Sequence, residues 1–561
     1  MEELLSFLFK RIKEQKAYSR EDFTEEQKEI FEMVSNFAKE EIFPKRKELS
    51  RINKELTFEV LKKASDLGLA KAEIPEEYDG LGLSKATAAI IAEGLSKGSC
   101  ESICVTFFAH TGIGTLPILY YGTEEQKKKY LPKLGNLEIL SSYALTEPQA
   151  GSDVSSIKTE AKKDENFYVL NGQKQFITNA GWADLFILFA KTSKKDISAF
   201  IIERGTEGLS VGQEEEKMGI KGSSTCSVIL ENCKVPKENL LSEEGKGMEI
   251  ALNILNVGRF KLGAATMGGS KSCFDFALEY ALQRKQFGLP IAFFEPIRFK
   301  IAQCASFIFS ADSIVYRTAD LFENVKGKDL EKYAVEASIC KIFGSETLGK
   351  VADHSIQILG GYGFSEEYLP AQVYKDTRID RIYEGTNEIN RLVIYAYILR
   401  DSLLEKIPLR NFAKNFERIE NLKFESWEEK FLEISRNLII YLFERAIVKY
   451  GQDLRQEGIL GEILSDLVIY QYSSSSAYLR YLKSKRKEHL LATQIFLFEF
   501  FKEVSSKVPI VIPLIFEEYE IEKEEKKIFN LIYSLKPIYN YSKLIKNFTD
   551  MIYHNKKYFL D

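Results

Sequence analysis

The sequence has few cysteines, few histidines and no long apolar run, and each shortage excludes a class of protein. Its 561 residues include seven cysteines. None of them forms a Cys-x-x-Cys pair, which excludes a disulfide-stapled secreted domain and a zinc ribbon. The four histidines are far apart, so no metal site is expected. The longest strongly apolar run, Val508 to Phe516, contains two prolines and is too short to cross a bilayer.

A charge excess of one sign is also missing. The 77 basic and 82 acidic residues leave a net charge of −5, without the basic surplus of a nucleic-acid-binding protein. Glu2 and Glu3 precede a short apolar stretch, which fits neither a signal peptide nor a transit peptide. The apolar fraction of 45% is that of an ordinary globular protein. We therefore expect a cytoplasmic protein of several domains.

The hydrophobic pattern divides the chain into four blocks. Residues 1–137 show the three- and four-residue spacing of helices, and residues 138–245 show the alternation of strands. In the second block, Asn171-Gly172 between two alternating runs predicts a tight hairpin. Residues 246–404 and 405–561 are helical again. The predicted fold class is α+β, mainly α: an N-terminal helical domain, a middle β-barrel or sandwich, a second helical bundle and a C-terminal helical extension.

A dinucleotide-binding fingerprint is missing from the sequence. The cluster Gly360-Gly361-Tyr362-Gly363 follows a long helix, whereas a Rossmann fingerprint follows a strand. Glu366 also occupies the place of the last glycine. Taken alone, this cluster indicates the end of a helix and a turn.

Five segments change that interpretation when they are taken together. They are ALTEPQAGSD (144–153), FITN (176–179), RKQFG (284–288), QILGGYGFSEE (357–367) and IYEGT (382–386). In their order and spacing they resemble the motifs of acyl-CoA dehydrogenases, over about residues 25–400. LNVGRF (255–260), EKMGIKGSST (216–225), EGTNEINRL (384–392) and the helical extension resemble the very-long-chain branch of that family and its bacterial relatives.

The resemblance implies an FAD-dependent reaction that gives trans-2-enoyl-CoA. A base removes the α-proton of the acyl thioester, and a hydride passes from the β carbon to flavin N5. The base must be a desolvated carboxylate, so that its pKa rises toward neutrality. The resemblance assigns this role to Glu384, which by itself would be taken for a solvated loop acid. Some relatives carry the base near the position of Gly258-Arg259, but no acid stands there.

The resemblance also implies contacts with non-covalently bound FAD and with substrate. The FAD contacts would be Tyr143, Leu145, Thr146, Gly151 and Ser152 at the isoalloxazine, Phe176, Ile177 and Thr178 over the ring, Arg284, Phe287, Gln357 and Gly361 toward the FAD of a partner subunit, and Thr386, Asn387 and Glu388 around phosphate. The substrate contacts would be Ser152, Arg259, Tyr383 and Gly385. For Arg259 the alternative is a surface arginine paired with a carboxylate, and for Tyr383 it is simple packing.

Three positions depart from the family pattern. Phe176 stands where many members have Trp, Gln372 replaces a Lys or Arg, and Lys261 replaces a Gly of the very-long-chain branch. None of them affects the base or the hydride acceptor. Phe107 and Phe108 either narrow the acyl tunnel or pack within the helical domain.

The predicted function is the dehydrogenation of long-chain acyl-CoA by a homodimer that passes electrons to electron-transfer flavoprotein. Two alternatives stay open: an acyl-CoA oxidase reoxidised by oxygen, and a flavin-binding scaffold. No nucleic-acid partner is expected. Residues 401–561 contain 25 basic and 24 acidic side chains, so any membrane contact should be weak and peripheral, on the inner membrane face.

Overall fold

Helices surround one mixed sheet in the computed structural model, which describes residues 4–414, 416, 419 and 422–561. Glu2 and Glu3, on which the argument against a signal peptide rests, lie outside the described residues. The predicted α+β class, mainly α, is confirmed. All seven cysteines are buried free thiols, as expected from their spacing.

Several helices before the sheet begin at capping residues. Thr24, Ser84 and Thr123 each accept a hydrogen bond from the backbone N–H three residues further on, which satisfies a free donor of the first turn. These helices are α1 (Ser6–Phe9), α2 (Glu25–Phe37), α3 (Arg46–Leu49), α4 (Lys54–Asp66), α5 (Lys85–Ser96), α6 (Glu101–Phe108), α7 (Leu116–Tyr121) and α8 (Glu124–Gly135).

One helical stretch, Glu101–Tyr121, is long and apolar enough to cross a membrane by length and composition alone. It is the one such stretch among the residues that the structure describes, and 78% of its most apolar window is buried inside the chain. A core helix has the same properties.

The strands of the middle block form one eight-stranded sheet. They are β1 (Ser141–Ala144), β2 (Glu160–Lys163), β3 (Phe167–Thr178), β4 (Leu185–Lys191), β5 (Ile197–Glu203), β6 (Leu209–Glu214), β7 (Thr225–Pro236) and β8 (Leu240–Leu241). Their order is β6-β7-β3-β2-β4-β5-β8, and β1 pairs in parallel with β4. Every residue of β4 but the last is buried, so this strand lies at the centre of the block.

The hairpin predicted at Asn171-Gly172 is wrong. Strand β3 continues through both residues, and its register against β7 shifts between Leu170 and Gly172. A Cβ at Gly172 would lie 2.5 Å from the side-chain oxygen of Thr159, so the glycine permits a close approach of neighbouring backbone. The Asn171 side chain accepts a hydrogen bond from the Asn232 N–H at 2.8 Å. Tertiary contacts therefore outweigh the local turn signal.

The long helices predicted after the sheet are present. The helical block contains α9 (Gly247–Gln283), α10 (Glu295–Phe322), α11 (Ala334–Leu359), α12 (Gly361–Phe364), α13 (Leu369–Asp376) and α14 (Asn387–Leu403), with the strand pair β9 (Lys285–Gln286) and β10 (Leu289–Pro290). The extension contains α15 (Leu409–Ala413), α16 (Trp427–Tyr450), α17 (Gly458–Ser484), α18 (Lys487–Ile515), α19 (Glu518–Ser534) and α20 (Tyr541–Asn555).

The extension packs on the helical block through α17 and α18, which both contact α10. The apolar face of α16 is buried against α17 and α18. It comprises Phe431, Ile434, Leu438, Leu442 and Phe443, and each is at most 3% exposed. The amphipathic face that the sequence predicts therefore finds its partner surface within the same chain.

A buried network of charges joins the first block, the helical block and the extension. Asp312 of α10 accepts hydrogen bonds from Arg20 (2.8 Å), Lys271 (3.0 Å) and Arg480 (2.6 Å). Glu93 of α5 pairs with Arg20 and with Lys271 (2.8 Å). Asp561 also pairs with Arg20 and Lys271. Because the charges other than Asp561 are buried, the network stabilises the chain only while its members are matched.

We predict that Asp312→Asn lowers the free energy of unfolding by roughly 3–5 kcal/mol, because three buried cations lose their shared carboxylate. Urea denaturation followed by fluorescence measures the change. The matched control is Asp329→Asn, which removes an exposed carboxylate paired with Lys332 and should have little effect. Equal shifts in the two variants would contradict this role of the network.

Candidate active site

Glu384 lies in the loop before α14, with its carboxylate against α9. Its φ is +57°, a left-handed conformation that costs a residue other than glycine about 1–2 kcal/mol. A Cβ at Gly258 of α9 would lie 2.8 Å from Glu384 Oε2, so a larger residue there would displace the carboxylate. Oε2 is buried without a hydrogen-bond partner in the described structure. Burial raises the pKa of Glu384 to about 7, against the opposing charges of Arg259 and Lys341.

Three side chains hold the backbone of this loop. Arg259 of α9 donates from Nε to the Glu384 carbonyl at 3.1 Å. Lys341 of α11 and Asn390 of α14 both donate to the Gly385 carbonyl at 2.8 Å. Because the donors come from three helices, the loop is fixed relative to the whole helical block. The surface-arginine alternative for Arg259 is wrong, since this side chain is buried.

Ionisable groups surround the loop. Burial lowers the pKa of Lys341 to about 7, although Asp380 and Glu384 oppose this. Burial also raises the pKa of Asp380 to about 7. Tyr383, for which pocket wall and packing were both open, donates its hydroxyl to Asp380 at 2.6 Å. The carboxyl of Glu384 therefore lies in an environment where several groups titrate near neutrality.

The segment 144–153 is held by a buried ion pair. Lys174 of β3 donates to Glu147 at 2.7 Å and to the carbonyl of Leu145 at 3.1 Å. Burial would raise the pKa of Glu147, but Lys174 and the backbone N–H of Lys158 hold it at about 2. The backbone of Thr146 is tied to β3 as well, because its carbonyl accepts from the Gln175 N–H at 2.9 Å.

Two phenylalanines of the predicted site are exposed in left-handed backbone conformations. The ring of Phe176 is 63% exposed at φ +58°, and that of Phe287 is 95% exposed at φ +52°. Backbone strain at non-glycine residues clusters at functional sites. Gly151 faces open space, since a Cβ there would meet nothing within 4 Å.

The other residues of the predicted flavin surface differ in burial. Tyr143 and Ile177 are buried, and the Tyr143 ring packs on Phe189 at 4.9 Å. Thr178 is half-buried, and its carbonyl accepts from the Ser142 hydroxyl at 2.6 Å. Ser152 is exposed.

A cleft of about 540 Å³ lies at the C-terminal ends of α9 and α11. Its lining includes Arg284, Gln286, Gly360 and Gly361. Neither glycine would bring a Cβ within 4 Å of another group, so the cleft has an open backbone floor. Gln357 and Phe287 are exposed beside these segments in sequence. The structure thus brings Arg284 and Gly361 together in a cleft that Glu384 does not line.

The start of α14 follows the loop directly. Thr386 caps the helix by accepting from the Ile389 N–H at 3.2 Å. The Asn387 side chain is already used, since its oxygen accepts from Lys341 at 2.7 Å and its nitrogen donates to Glu346 at 3.0 Å. The backbone N–H of Glu388 lowers the pKa of the carboxyl group of the same residue. Only backbone donors of this turn could therefore meet a phosphate.

Sequence reasoning missed Lys341, Lys174, Asp380 and Asn390 as parts of the site. The one signal for Lys341 was a lysine between apolar residues, at a position where the pattern predicts burial. Lys174 stands between Gln173 and Gln175 and gave no such signal. Gln372 stands where the family pattern has Lys or Arg. Its side-chain amide donates a hydrogen bond to Asp376 at 2.8 Å.

Comparison with known proteins agrees with this architecture. Three family descriptions match: acyl-CoA dehydrogenase N-terminal domain over residues 24–138, middle domain over 142–233 and C-terminal domain over 245–399. A probable acyl-CoA dehydrogenase of Bacillus subtilis (strain 168) is 40% identical over 537 residues, 89% of each chain. The human mitochondrial very long-chain specific acyl-CoA dehydrogenase is 39% identical over 406 residues, 70% of this chain and 61% of that protein.

A solved structure covers the whole chain. It is an acyl-CoA dehydrogenase complexed with FAD from Bacillus anthracis, with a TM-score of 0.95, 37% identity and 100% coverage of both chains. The proteins that these family descriptions and this solved structure represent are oxidoreductases. The chain belongs to the acyl-CoA dehydrogenase family.

We predict that Lys174→Met weakens FAD retention by about ten-fold or more. The change leaves the buried Glu147 carboxylate without its cation, so the segment 144–153 loses its fixed position. A ten-fold change in affinity corresponds to about 1.4 kcal/mol of binding free energy. The ratio of flavin to protein absorbance after dilution and gel filtration measures retention. Lys162→Met removes an exposed pair on the adjacent strand β2 and is the control. Equal retention in both variants would contradict this role.

Proposed function

We propose that this chain is an FAD-dependent acyl-CoA dehydrogenase in which Glu384 removes the α-proton of the acyl thioester. The observation that supports this most directly is the buried Glu384 carboxylate with no hydrogen-bond partner on Oε2, beside Gly258. A base of this kind must be desolvated and must lie within reach of the proton that it removes. Asp380 is also buried with an unpartnered oxygen, but it is Glu384 whose carboxylate lies against Gly258 of α9.

The residues present fit FAD. The exposed ring of Phe176 offers an apolar face to an isoalloxazine, and open space at Gly151 lets the cofactor approach the backbone. Gly360 and Gly361 form an open floor for an adenosine end, with Arg284 as the cation beside it. When bound, FAD supplies the acceptor for the hydride that leaves the β carbon.

The chain's own residues would bind the thioester and move the proton. Glu384 in its ionised form takes the α-proton and becomes a neutral acid, which the surrounding burial favours. Its backbone N–H donates to no protein acceptor in the described part of the chain, so it can donate to the thioester oxygen as charge develops there. Arg259 keeps that N–H in place by holding the carbonyl of the same residue.

Electron-transfer flavoprotein is the acceptor that we propose for the reduced cofactor, on the basis of the resemblance to dehydrogenases. An oxidase would instead consume oxygen and release peroxide without an added acceptor. A scaffold would hold flavin that no acyl-CoA reduces. Anaerobic reduction by acyl-CoA, followed by an oxygen-electrode measurement, separates the three functions. The long-chain substrate stays a prediction from the resemblance.

We predict that Glu384→Gln lowers dehydrogenation by at least about 10³-fold, since it removes the base and keeps the size of the side chain. FAD content and acyl-CoA binding should stay close to those of the wild type. Stopped-flow reduction of the flavin by acyl-CoA measures the rate. Glu405→Gln, at an exposed acid beyond α14, is the matched control.

The pH dependence gives a second expectation for the same residue. Because only ionised Glu384 takes a proton, kcat/KM should rise as the pH passes through about 7 and should be constant at higher pH.

In the substitution experiment, a Glu384→Gln variant that retains more than a tenth of the activity would contradict the assignment of the base.

We further propose a cytoplasmic homodimer in which each FAD reaches the partner through the cleft at Arg284 and Gly361. Phe287, which follows the cleft residue Gln286 in sequence, is 95% exposed, so its ring is accessible to a partner subunit. The extension packs on α10 through α17 and α18. The near-neutral charge of the extension favours at most weak membrane contact.

Arg284→Ala should weaken FAD retention and dimer association together, because a ligand that bridges two subunits links the two equilibria. Light scattering during dilution measures the mass, expected near twice 64.3 kDa for the wild type. Lys285→Ala is the control, since Lys285 is exposed next to Arg284 but does not line the cleft. Loss of FAD from a dimer with unchanged dissociation would contradict a shared site.

A further inference from the structure

A small cavity lies beside α9, one helical turn from the glycine that contacts Glu384. Its volume is about 20 Å³, close to the space that one water molecule needs. The lining is mainly apolar and comes from α5, α6 and the segments around them. Two charged residues, Glu73 and Lys261, also line it.

These two charges belong to a buried cluster. Lys261 pairs with Glu73, and Glu73 also pairs with Lys85 at 2.5 Å. All three side chains are at most 10% exposed. Burial would raise the pKa of Glu73, but Lys261 and Lys85 hold it at about 2. The ion pair therefore fixes the Lys261 side chain at the cavity, since swinging away would leave a desolvated charge unmatched.

Lys261, the member of the cluster on α9, lies beyond Gly258 toward the C-terminal end of the helix. Gly258 and Lys261 are three residues apart, so they share a face of the helix and are separated by about 4.5 Å along its axis. On the other side of the cavity is the segment Ala109–Gly114, where a Cβ at Gly112 would lie 3.9 Å from Lys261 Cδ. Phe107 and Phe108 of α6 complete the lining from that side.

We infer that Lys261, anchored by Glu73, forms the end wall of the acyl pocket together with Phe108 and limits the substrate to acyl chains of short or medium length. The inference rests on the proposed function, since it assumes that an acyl chain lies beside Glu384. A chain that extends along α9 reaches the pair of Lys261 and Glu73 after one turn, and the open space beside that pair is about 20 Å³. Entry of a long tail requires the ion pair to break in an apolar surrounding. The wall thus argues against the long-chain substrate that the sequence resemblance predicts.

The test is anaerobic flavin reduction by butyryl-, octanoyl- and hexadecanoyl-CoA, measured as kcat/KM for the FAD-loaded full chain. The wild type should prefer one of the shorter two over hexadecanoyl-CoA by about ten-fold or more. In Lys261→Ala, the ratio of hexadecanoyl- to octanoyl-CoA should rise by about ten-fold, because the wall is removed while Glu73 keeps Lys85 as partner. Phe108→Ala opens the same cavity from α6 and should change the ratio in the same direction.

Leu348→Ala is the matched control. Leu348 of α11 packs against α9 at Gly269, more than two turns beyond Lys261, and does not line the cavity. The change creates space beside the same helix, so its chain-length profile should equal that of the wild type. Thermal unfolding and flavin content show whether each variant is folded.

A wild type that prefers hexadecanoyl-CoA would overturn the inference, whatever the variants do. The inference is also overturned if the folded variants show the same chain-length profile as the wild type. If Lys261→Ala does not fold, the profile of Phe108→Ala is the test. A different result addresses the proposed function: if no saturated acyl-CoA reduces the flavin of the wild type, the dehydrogenase assignment fails and not the wall alone.

Discussion

The proposed chemistry depends on one buried carboxylate oxygen, Glu384 Oε2, which has no hydrogen-bond partner in the described structure. In water a glutamate ionises well below neutrality, and desolvation is what moves the pKa of Glu384 to about 7. The same burial requires space, which Gly258 provides, since any side chain there would collide with the carboxylate. Gly258 of α9 and Glu384 of the loop are far apart in sequence, and one contact between them constrains both.

The carboxylate keeps its position because the surrounding backbone is fixed. Arg259, Lys341 and Asn390 hold the carbonyls of Glu384 and Gly385, so the left-handed conformation of Glu384 is maintained by donors from three helices. Strain of this kind costs of order 1–3 kcal/mol and persists only where the surroundings enforce it. The buried charges around Asp312 hold two helices of this block, α9 and α10, to the first block and the extension. Rigidity of the site is thus a property of the whole chain.

Periodicity was enough to predict the order of helices and strands, since apolar spacing reflects which face of each element is buried. It failed at Asn171-Gly172, where the dipeptide favours a turn locally but close packing at Thr159 and pairing with β7 keep the strand continuous. The motif segments located the loop of Glu384. They could not show that Arg259 is buried, because a helix residue's partners depend on how the helices pack.

Charge pairs between distant segments are the part that sequence patterns could not supply. Glu73 and Lys261 are 188 residues apart, and nothing in either neighbourhood indicates the other. The same holds for Lys341 and the Gly385 carbonyl, since a backbone acceptor leaves no trace in the sequence. Such contacts decide which polar groups are satisfied in the interior, and therefore which one is left to react.

Direct titration of the Glu384 carboxyl tests the account most sharply. Infrared difference spectra of the oxidised holoenzyme, recorded over a pH series and compared with those of Glu384→Gln, isolate the band of the protonated acid. The account predicts a band that is lost with a midpoint near pH 7 in the wild type and is missing from the variant. A midpoint near the ordinary glutamate value of about 4.3 would contradict it, because Glu384 would then be a solvated acid.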